Sequence, residues 1–449
     1  RTVENVSALN GGQQLVYKQV MLAVKSDRAV SKLFFLDGPG GTGKSFLLDK
    51  ILATVCLEGK IALAVASSGI TAVLQMGGRT AHTRFKLSLD LTSTSTCNIS
   101  EQSSSAELLR QTSLIVWDEA PMVHRFVPEA VHRLLRSLMR KDLPFGGKVM
   151  LLAGDFRRIL PVGPRTTDSQ IISASLKKSQ LWQHFEVLCI NHKHEGAYIS
   201  ESRQCCRDSR IYGIPLEGCL VDSLYGDTER RFMEPNYFAQ RMILTPINGA
   251  AQEINEEVIQ KLPGDIQEYL LIDAVEKQEN MEHGIYPAEF LNMLTISGMP
   301  TRKLCLKVGT LIILRRNISG KQGLCSGTSL KVCRLAPNSI DAIIMMGNQR
   351  GKKVFIPRIT LISHDSGLPL QLCRRHYTVQ VAFAMMINKA QGQSVHYLGF
   401  YLPQHVFAHG QLYVALSRVT SRSSRRLLLQ EEDHQEKIAF ALRMLSVRK

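Results

Sequence analysis

The chain has 449 residues, of which 44% are hydrophobic and 21% charged, a balance typical of soluble globular proteins. It carries 55 Lys and Arg against 39 Asp and Glu, and the formal net charge of +16 is compatible with a polyanionic partner, although many basic proteins bind none. No apolar run approaches the roughly 18 residues of a membrane span, and the N-terminal residues lack a signal-peptide pattern. Length and composition therefore exclude a membrane-spanning protein and favour an intracellular protein of two or three domains.

The cysteines and the first residue add two expectations. The ten cysteines form no C-x-x-C pair and no zinc-ligand spacing, which indicates reduced thiols. Because the chain begins with Arg1 instead of Met, we expect it to be a segment of a longer product.

In chain order, the first predicted element is a short helix between Leu9 and Val20 that buries Leu15 and Val20. Gln13 lies in it, upstream of a glycine-rich loop. A glutamine amide at such a place can hydrogen-bond an adenine, so Gln13 is a candidate base reader, but a surface glutamine is an equally good interpretation.

The sequence GPGGTGKS matches the phosphate-binding pattern in which a glycine-rich loop joins a strand to a helix. Its flanks agree, since an apolar run from Leu33 to Leu36 precedes it and apolar residues recur at helical spacing after it. The backbone N–H groups of such a loop turn toward a triphosphate, Lys44 reaches the β- and γ-phosphates, and the Ser45 hydroxyl ligates Mg²⁺. The predicted ATP-binding residues of this segment are Gly38, Pro39, Gly40, Gly41, Thr42, Gly43, Lys44, Ser45 and Phe46.

The apolar run from Ile61 to Ala66 predicts a second strand, and strands separated by helical stretches favour a parallel α/β sheet with functional loops at its carboxyl edge. Thr80 and His82 follow this strand and are positioned to touch a ligand, although ordinary turn chemistry explains them equally well. From Thr92 to Ala106, abundant Ser and Thr predict an exposed loop.

The stretch LIVWDEAPM predicts a third strand that ends in two carboxylates. Asp118 can hold Mg²⁺ through water, and Glu119 can orient or deprotonate the attacking water in phosphoryl transfer. Downstream of a phosphate loop, this pair predicts an ATPase.

Later segments predict further strands and a helix of the α/β type, followed by a region of a different type. Strands are expected at Val149 to Ala153, Phe185 to Ile190 and Met242 to Thr245, with an amphipathic helix after the last. Between about Pro300 and Ile362, short strands separated by Gly, Asn and Pro turns are typical of a small barrel.

Ten segments stand in an order that is specific to one family: GPGGTGKS, VASSGITAVLQMGGRTAHTRFK, STCNIS, LLRQTSLIVWDEAPMVHR, PFGGKVMLLAGDFRRILPV, RMILTPINGAAQEINEEVIQKLPGD, YPAEFLNMLTISGMP, LKVGTLIILRRNISGKQGLCSGTSL, FAMMINKAQGQS and HGQLYVALSRVTS. From about Leu9 to about Leu429 the chain resembles the PIF-type (PIF/RecD-like) DNA helicases of superfamily one, especially the branch carried by Helitron transposons.

The resemblance implies an α/β fold of two RecA-like P-loop NTPase domains with parallel sheets, and a small SH3-like β-barrel insertion in the second. The first RecA-like domain is expected at 1–190 and a divergent connecting segment at 191–235. The second is expected at 236–299 and 376–449, with the barrel at 300–375. ATP would lie between the two domains, with single-stranded DNA across their top.

The resemblance also implies residue roles. The residues assigned to catalysis are Lys44, Asp118, Glu119 and Arg418, of which Arg418 is the finger that stabilises γ-phosphate charge. Gln13 is the residue assigned to adenine, and Ser45 and Asp118 are those assigned to Mg²⁺. The residues assigned to DNA are Thr80, His82, Lys389, Gln391 and Ser394.

Two positions depart from the family's catalytic pattern. Arg158 stands in GDFRR where the family has a glutamine that senses the γ-phosphate. Glu195 aligns with an arginine that meets the phosphates, and a carboxylate there would repel a triphosphate. We expect an Arg158–Glu195 pair to leave ATP and DNA binding near normal and to lower hydrolysis.

The expected function is that of an ATP- and Mg²⁺-dependent helicase that moves 5′ to 3′ on single-stranded DNA. The expected partners are single-stranded and forked DNA, bound by a monomer, with a transposase-like region upstream and no membrane. The family implies a nuclear or mitochondrial location and work in DNA repair, recombination, telomere maintenance or Helitron transposition. Two alternatives are an ATP- and DNA-binding protein with impaired hydrolysis, and a P-loop kinase or metabolic ATPase, which the RecA-like second half disfavours.

Overall fold

The computed structural model describes residues 9–26, 32–88, 90–158, 167–190, 220–234, 236–275, 303–347, 349–362, 372–390, 393, 395–403, 410–418 and 425–429. The first seven α-helices are α1 Gly11–Lys25, α2 Lys44–Leu57, α3 Gly69–Leu74, α4 Ala81–Phe85, α5 Ser104–Gln111, α6 Phe126–Met139 and α7 Asp168–Ala174. Further α-helices are Leu220–Tyr225, Thr228–Arg231, Asn248–Gln260 and Gln411–Leu416. Short 3₁₀ helices are Ala120–Met122, Pro144–Gly147, Leu176–Lys178, Gln180–His184, Gly320–Gln322 and Ile387–Ala390.

The strands of the first half are β1 Leu33–Asp37, β2 Ile61–Ala66, β3 Arg79–Thr80, β4 Thr112–Asp118, β5 Val149–Gly154 and β6 Glu186–Cys189. The remaining strands are β7 Arg241–Thr245, β8 Gln267–Leu270, β9 Ile272–Val275, β10 Lys303–Leu306, β11 Leu311–Leu314, β12 Ser329–Ala336, β13 Ser339–Ile344, β14 Lys353–Pro357, β15 Ile359–Ile362, β16 Leu372–His376, β17 Val379–Val381, β18 Ala384–Met386, β19 Tyr397–Leu402 and β20 Arg425–Leu429. The strands predicted from apolar runs are therefore present, within one or two residues of their expected bounds.

Strands β1 to β6 form one parallel sheet in the order β3-β2-β4-β5-β1-β6. Both of its faces are buried, which explains why β1, β2, β4 and β5 are near-continuous apolar runs instead of alternating ones. Phe35 and Trp117 belong to the core on one face, and Phe34 and Val116 to the core on the other. The parallel sheet confirms the predicted α/β class.

Helices cover both faces of this sheet. The first face packs against α5 and α6, which bury Leu109 and Leu135 there. The second packs against α1 and α2, which bury Val20 and Ile51. This layering brings the carboxyl ends of β1, β4 and β5 to adjacent positions at one edge, where ligands bind in open α/β sheets.

Two expectations in the first half were wrong in part. Leu15 is 61% exposed, because the buried face of α1 passes through Val16 and Val20 and leaves Leu15 on another side. The predicted loop ends early, since α5 begins at Ser104 and the Ser103 side chain caps it by accepting from the Ala106 N–H. Ser and Thr that favour loops also favour helix N-caps, so composition alone did not locate this boundary.

The strands of the second half are mainly antiparallel. Five of them form a sheet in the order β14-β13-β12-β11-β17 around a core that includes Ile312, Ile340 and Tyr377. Smaller sheets have the orders β10-β8 and β15-β16-β9, and a four-stranded sheet has the order β18-β7-β19-β20. The predicted short strands are thus present, while closure into an SH3-like barrel stays a prediction.

By its internal packing the chain divides into two compact units. One comprises Arg1–Glu217, Leu244–Ile247 and Met386–Lys449, and the other Gly218–Ile243 and Asn248–Met385. The phosphate loop and the segment around Arg418 belong to the first unit, and the five-stranded antiparallel sheet belongs to the second. The four predicted domain boundaries stay predictions.

Two general expectations concern membranes and thiols. Over the described residues, every helix is too short or too polar to cross a bilayer. The cysteines in the same part of the chain are all free thiols: Cys56, Cys97, Cys189, Cys305, Cys325, Cys333 and Cys373.

Candidate nucleotide-binding site

The phosphate loop lies between the end of β1 and the start of α2, as its sequence predicts. Gly41 and Gly43 have φ of 80° and 77°, in the left-handed region that glycine enters without strain. Gly43 is the residue before α2, so the loop turns directly into the helix N-terminus, an arrangement that suits a bound anion. A Cβ at Gly40 would lie 3.2 Å from the Ser417 Cβ, which leaves little room for any other residue there.

Lys44 is bound by the loop's own backbone. Its Nζ donates to the carbonyl oxygens of Gly38 at 2.5 Å and Pro39 at 2.9 Å, and the residue is 8% exposed. Burial, followed by the positive charge of Arg158, lowers the pKa of Lys44. A buried ammonium with these neighbours is stabilised by an anion that binds next to it.

Asp118 and Glu119 follow the end of β4, and both are nearly buried. Asp118 accepts the Glu119 N–H at 2.8 Å on Oδ1, and its Oδ2 lies 3.4 Å from Nε2 of Gln75. Burial and then the charge of Glu119 raise the pKa of Asp118 to about 7. Glu119 has a φ of 54°, a left-handed conformation that non-glycine residues adopt rarely and that is concentrated at functional sites.

Arg158 lies in the turn that follows β5 and forms an ion pair with Glu119. The two side chains are each 7% exposed, and Nη1 of Arg158 donates to Oε1 of Glu119. Burial alone would lower the pKa of Arg158, but the carboxylates of Glu119 and Asp155 raise it. Glu195, the other departure from the family pattern, lies outside the described residues.

Arg418 follows the helix Gln411–Leu416 and is 4% exposed. Its guanidinium donates to the backbone oxygens of Val414 and Gln393, each at 3.0 Å, and to the Ser417 hydroxyl at 2.7 Å. Burial, then the charge of Arg158, lowers the pKa of Arg418 to about 9. Arg418 is therefore fixed in direction and its charge is destabilised by burial and a cationic neighbour, both of which favour an anion beside it.

These side chains converge on one cavity of about 240 Å³. Of the predicted nucleotide and catalytic residues, those that line it are Gly40, Gly41, Gly43, Lys44, Ser45, Phe46, Asp118, Glu119 and Arg418. Arg158 lines it as well, so three buried cations meet there. Burial and the neighbouring Arg158 destabilise the charged forms of Lys44 and Arg418. A polyanion such as a triphosphate would stabilise these charges, so the cavity is suited to one.

A magnesium ion also fits this set of residues. Ser45 and Asp118 line the same cavity as Lys44, and Mg²⁺ is commonly held by one or two carboxylates together with substrate phosphates and water. Over the described residues, no group of three or more His, Cys, Asp and Glu side chains is gathered to hold a metal by itself. These residues therefore allow a metal ion that the protein and a bound phosphate coordinate together.

Gln13 contacts the phosphate loop from α1. Its Nε2 donates to the Thr42 carbonyl at 3.1 Å, and its Oε1 accepts the Asn10 N–H in a capping box at the start of α1. Gln13 is fully buried, which excludes the surface interpretation. It ties α1 to the loop, and its contact with adenine stays a prediction.

The predicted DNA residues are described in part. Thr80 caps α4 by accepting the Thr83 N–H, and His82 is half-buried, with a pKa lowered by burial. Lys389 lies exposed on the 3₁₀ helix Ile387–Ala390. Gln391 and Ser394 lie outside the described residues, and the DNA roles of all five stay predictions.

Sequence reasoning missed two contributors to the site. Gln75 lines the cavity and contacts Asp118. It lies within the segment VASSGITAVLQMGGRTAHTRFK, but nothing in that pattern indicates that its amide reaches Asp118. Tyr413 donates to Asp155 from far along the chain. Asp155 and Tyr413 lie in two segments that carry the family resemblance, which is the sequence signal that both belong near the site. No local pattern predicts that they pair.

Comparison with known families supports the interpretation of these motifs. The model of the PIF1-like helicase family matches residues 8–205, and the model of the DNA helicase Pif1 2B domain matches residues 289–335. The first match contains the phosphate loop, Asp118 and Glu119.

Individual relatives agree with the family models. The chain is 25% identical over 413 residues to ATP-dependent DNA helicase PIF1 of Homo sapiens, covering 89% of this chain and 59% of that protein. It is 26% identical over 415 residues to ATP-dependent DNA helicase Pif1 of Campylobacter jejuni, covering 88% of each. The chain thus spans about three fifths of the length of its human relative.

The fold is also that of solved Pif1 structures. Bacteroides Pif1 bound to single-stranded DNA matches with a TM-score of 0.67 and 20% identity, over 96% of each chain. This likeness confirms the predicted α/β fold with two RecA-like domains. The two family models, together with the curated relatives, show that the chain belongs to the PIF1-like family of superfamily-one helicases.

Proposed function

We propose that this chain is the motor part of an ATP-dependent DNA helicase, which hydrolyses ATP at the phosphate-loop cavity and moves 5′ to 3′ on single-stranded DNA. The observation that carries the proposal is the convergence of Lys44, Asp118, Glu119 and Arg418 on one cavity. Each brings a part that phosphoryl transfer needs: cations for the phosphates, a carboxylate for the metal and a carboxylate for water.

The residues divide the chemistry as follows. Lys44 exchanges its bonds to the loop carbonyls for phosphate oxygens, and Arg418 supplies a second fixed positive charge. Ser45 and Asp118 are the residues that would hold Mg²⁺, which neutralises phosphate charge when bound. Glu119 orients the attacking water and accepts its proton.

DNA binding is supported by the charge of the chain and by its relatives. A net charge of +16 provides attraction to a phosphate backbone. Thr80, His82 and Lys389 are the described residues that we propose contact single-stranded DNA. One similar structure is Bacteroides Pif1 bound to single-stranded DNA, and another concerns DNA unwinding at forked double-stranded DNA by Pif1 helicases. We propose that this chain binds the same two kinds of DNA.

The finer assignments rest on the motif resemblance. We propose membership of the Helitron-transposon branch, action as a monomer on DNA, and a nuclear or mitochondrial location. The processes that follow from the family are DNA repair, recombination, telomere maintenance or Helitron transposition, the last with a transposase-like region upstream.

A second candidate is an ATP- and DNA-binding protein with impaired hydrolysis. The ion pair of Arg158 with Glu119 favours it, because a carboxylate that accepts from a guanidinium is not fully available to orient and deprotonate water.

Binding and turnover measured on two variants test the proposed roles. Lys44→Ala removes the cation that faces the phosphates, so ATP binding and hydrolysis should both fall. Glu119→Gln keeps the shape of the site but removes the base, so ATP should bind while turnover stops. If both variants lost ATP binding equally, the assigned roles would be wrong.

A further inference from the structure

The residue that would activate water is engaged by an arginine inside the nucleotide cavity. Arg158 and Glu119 are paired through Nη1 and Oε1, and each side chain is only 7% exposed. A charge-assisted hydrogen bond in such a place is strong because water does not screen it. While it persists, Oε1 of Glu119 is engaged by the guanidinium instead of by water.

The same guanidinium retains binding capacity. Its Nε is buried and has no hydrogen-bond partner among the described residues. A buried donor without a partner is costly, and it is relieved by an acceptor that enters the cavity.

Arg158 also lies against the phosphate loop. A Cβ at Gly40 would be 3.8 Å from its Nη2, so the guanidinium is close to the backbone that is expected to surround the phosphates. Lys44 and Arg418 line the same cavity, so three cations stand beside the carboxylates of Asp49, Asp118 and Glu119 there. A γ-phosphate is therefore an acceptor that can compete with Glu119 for Arg158.

We propose that Arg158 is a clamp on Glu119, meaning an ion pair that keeps this carboxylate from water until a triphosphate binds. The clamp rests on the proposed function, because it requires ATP in this cavity. Arg158 leaves Glu119 for the γ-phosphate, whereas ADP, which lacks that group, leaves the pair intact.

Hydrolysis follows release of the carboxylate. The water oxygen forms a bond to the γ-phosphorus, the bond from that phosphorus to the β–γ bridging oxygen breaks, and ADP departs with the electron pair. One proton of the water passes to Glu119, and the other stays on the phosphate that is released. Arg158 thereby links recognition of the third phosphate to the supply of a base.

A double-mutant cycle on nucleotide affinity tests the clamp without relying on turnover. The four proteins are wild type, Glu119→Gln, Arg158→Gln and the double variant, titrated with fluorescent ADP and with a fluorescent β,γ-imido ATP analogue. In the wild-type background Glu119→Gln frees Arg158, so affinity for the analogue should rise about tenfold, in keeping with loss of a competing charged hydrogen bond. In the Arg158→Gln background the same change should give a gain at least several-fold smaller.

Controls separate the clamp from charge and folding effects. With ADP, the effect of Glu119→Gln should be the same in both backgrounds, so that the cycle shows no coupling, and Arg158→Lys should keep an intermediate affinity for the analogue. The exposed pair Arg231 and Glu234, of the same residue types, provides the matched cycle and should show no coupling. Melting temperature identifies any variant that has not folded.

The possible outcomes separate failure of the clamp from failure of the proposed ATP binding. For the analogue, an equal gain in both backgrounds would overturn the clamp and leave ATP binding intact, and so would an equal coupling with ADP. Absence of binding of either nucleotide to folded wild-type protein would overturn both.

Discussion

The phenolic hydroxyl of Tyr413 donates a hydrogen bond of 2.5 Å to Oδ2 of Asp155, and both groups are buried. Asp155 also accepts from Nε of Arg157 at 2.7 Å on its other oxygen. The bond joins the turn after β5, which carries Arg158, to the helix that precedes Arg418. Two cations of the nucleotide cavity are thus positioned by segments that share one buried carboxylate.

Tyr413→Phe should destabilise the protein by about 1–3 kcal/mol, because it leaves a buried carboxylate oxygen without its donor. Denaturant unfolding measures the change. Tyr401→Phe, on a half-buried tyrosine of β19, is the matched control. If the two variants were equally stable, the hydrogen bond from the Tyr413 hydroxyl to Asp155 would contribute nothing to the free energy of unfolding.

Gly154→Ala should impair both stability and ATP hydrolysis. A Cβ there would lie 2.2 Å from Cδ of Pro121, two residues beyond Glu119, so the catalytic turn has to move. Overpacking of this kind costs about 1–3 kcal/mol. Denaturant unfolding and ATPase assays measure the two effects. Gly249→Ala is the control: a Cβ there meets nothing within 4 Å, so stability and hydrolysis should both be unchanged. Normal turnover in Gly154→Ala would mean that the position of this turn is not critical.

Gln75→Leu should raise the Mg²⁺ concentration needed for half-maximal hydrolysis, by about tenfold. The change removes the amide that lies 3.4 Å from Oδ2 of Asp118 and otherwise helps to orient that carboxylate. A Mg²⁺ titration of ATPase rate measures it, with the exposed Gln252→Leu as control. An unchanged Mg²⁺ requirement would show that Gln75 does not contribute to Mg²⁺ binding.

DNA affinity should fall steeply as salt rises, because cations that bind phosphates release counterions from the strand. Lys389→Ala should reduce the slope of log affinity against log salt by about 0.7, the contribution of one contact on single-stranded DNA. Lys18→Ala, an exposed lysine on α1, should leave the slope unchanged. Fluorescence anisotropy at several salt concentrations gives both slopes, and a flat dependence for the wild type would argue against backbone binding.

How far the sequence predicted the structure depended on how local each signal was. Glycines that need positive φ and apolar runs buried on both sides identified the phosphate loop and the parallel sheet. The pairing of Arg158 with Glu119 joins the ends of two strands 39 residues apart, and Tyr413 reaches Asp155 across 258 residues. Such contacts are set by strand order and not by any local pattern, so the sequence suggested a different partner for Arg158.

The most direct test of the proposed helicase activity is ATP hydrolysis by the wild-type chain with and without single-stranded DNA, together with unwinding of a 5′-tailed duplex. We expect DNA to raise turnover strongly and ATP to support unwinding of that duplex, with Lys44→Ala inactive in both assays. Turnover that is the same with and without DNA, with no unwinding, would contradict the proposal that this cavity drives a DNA helicase.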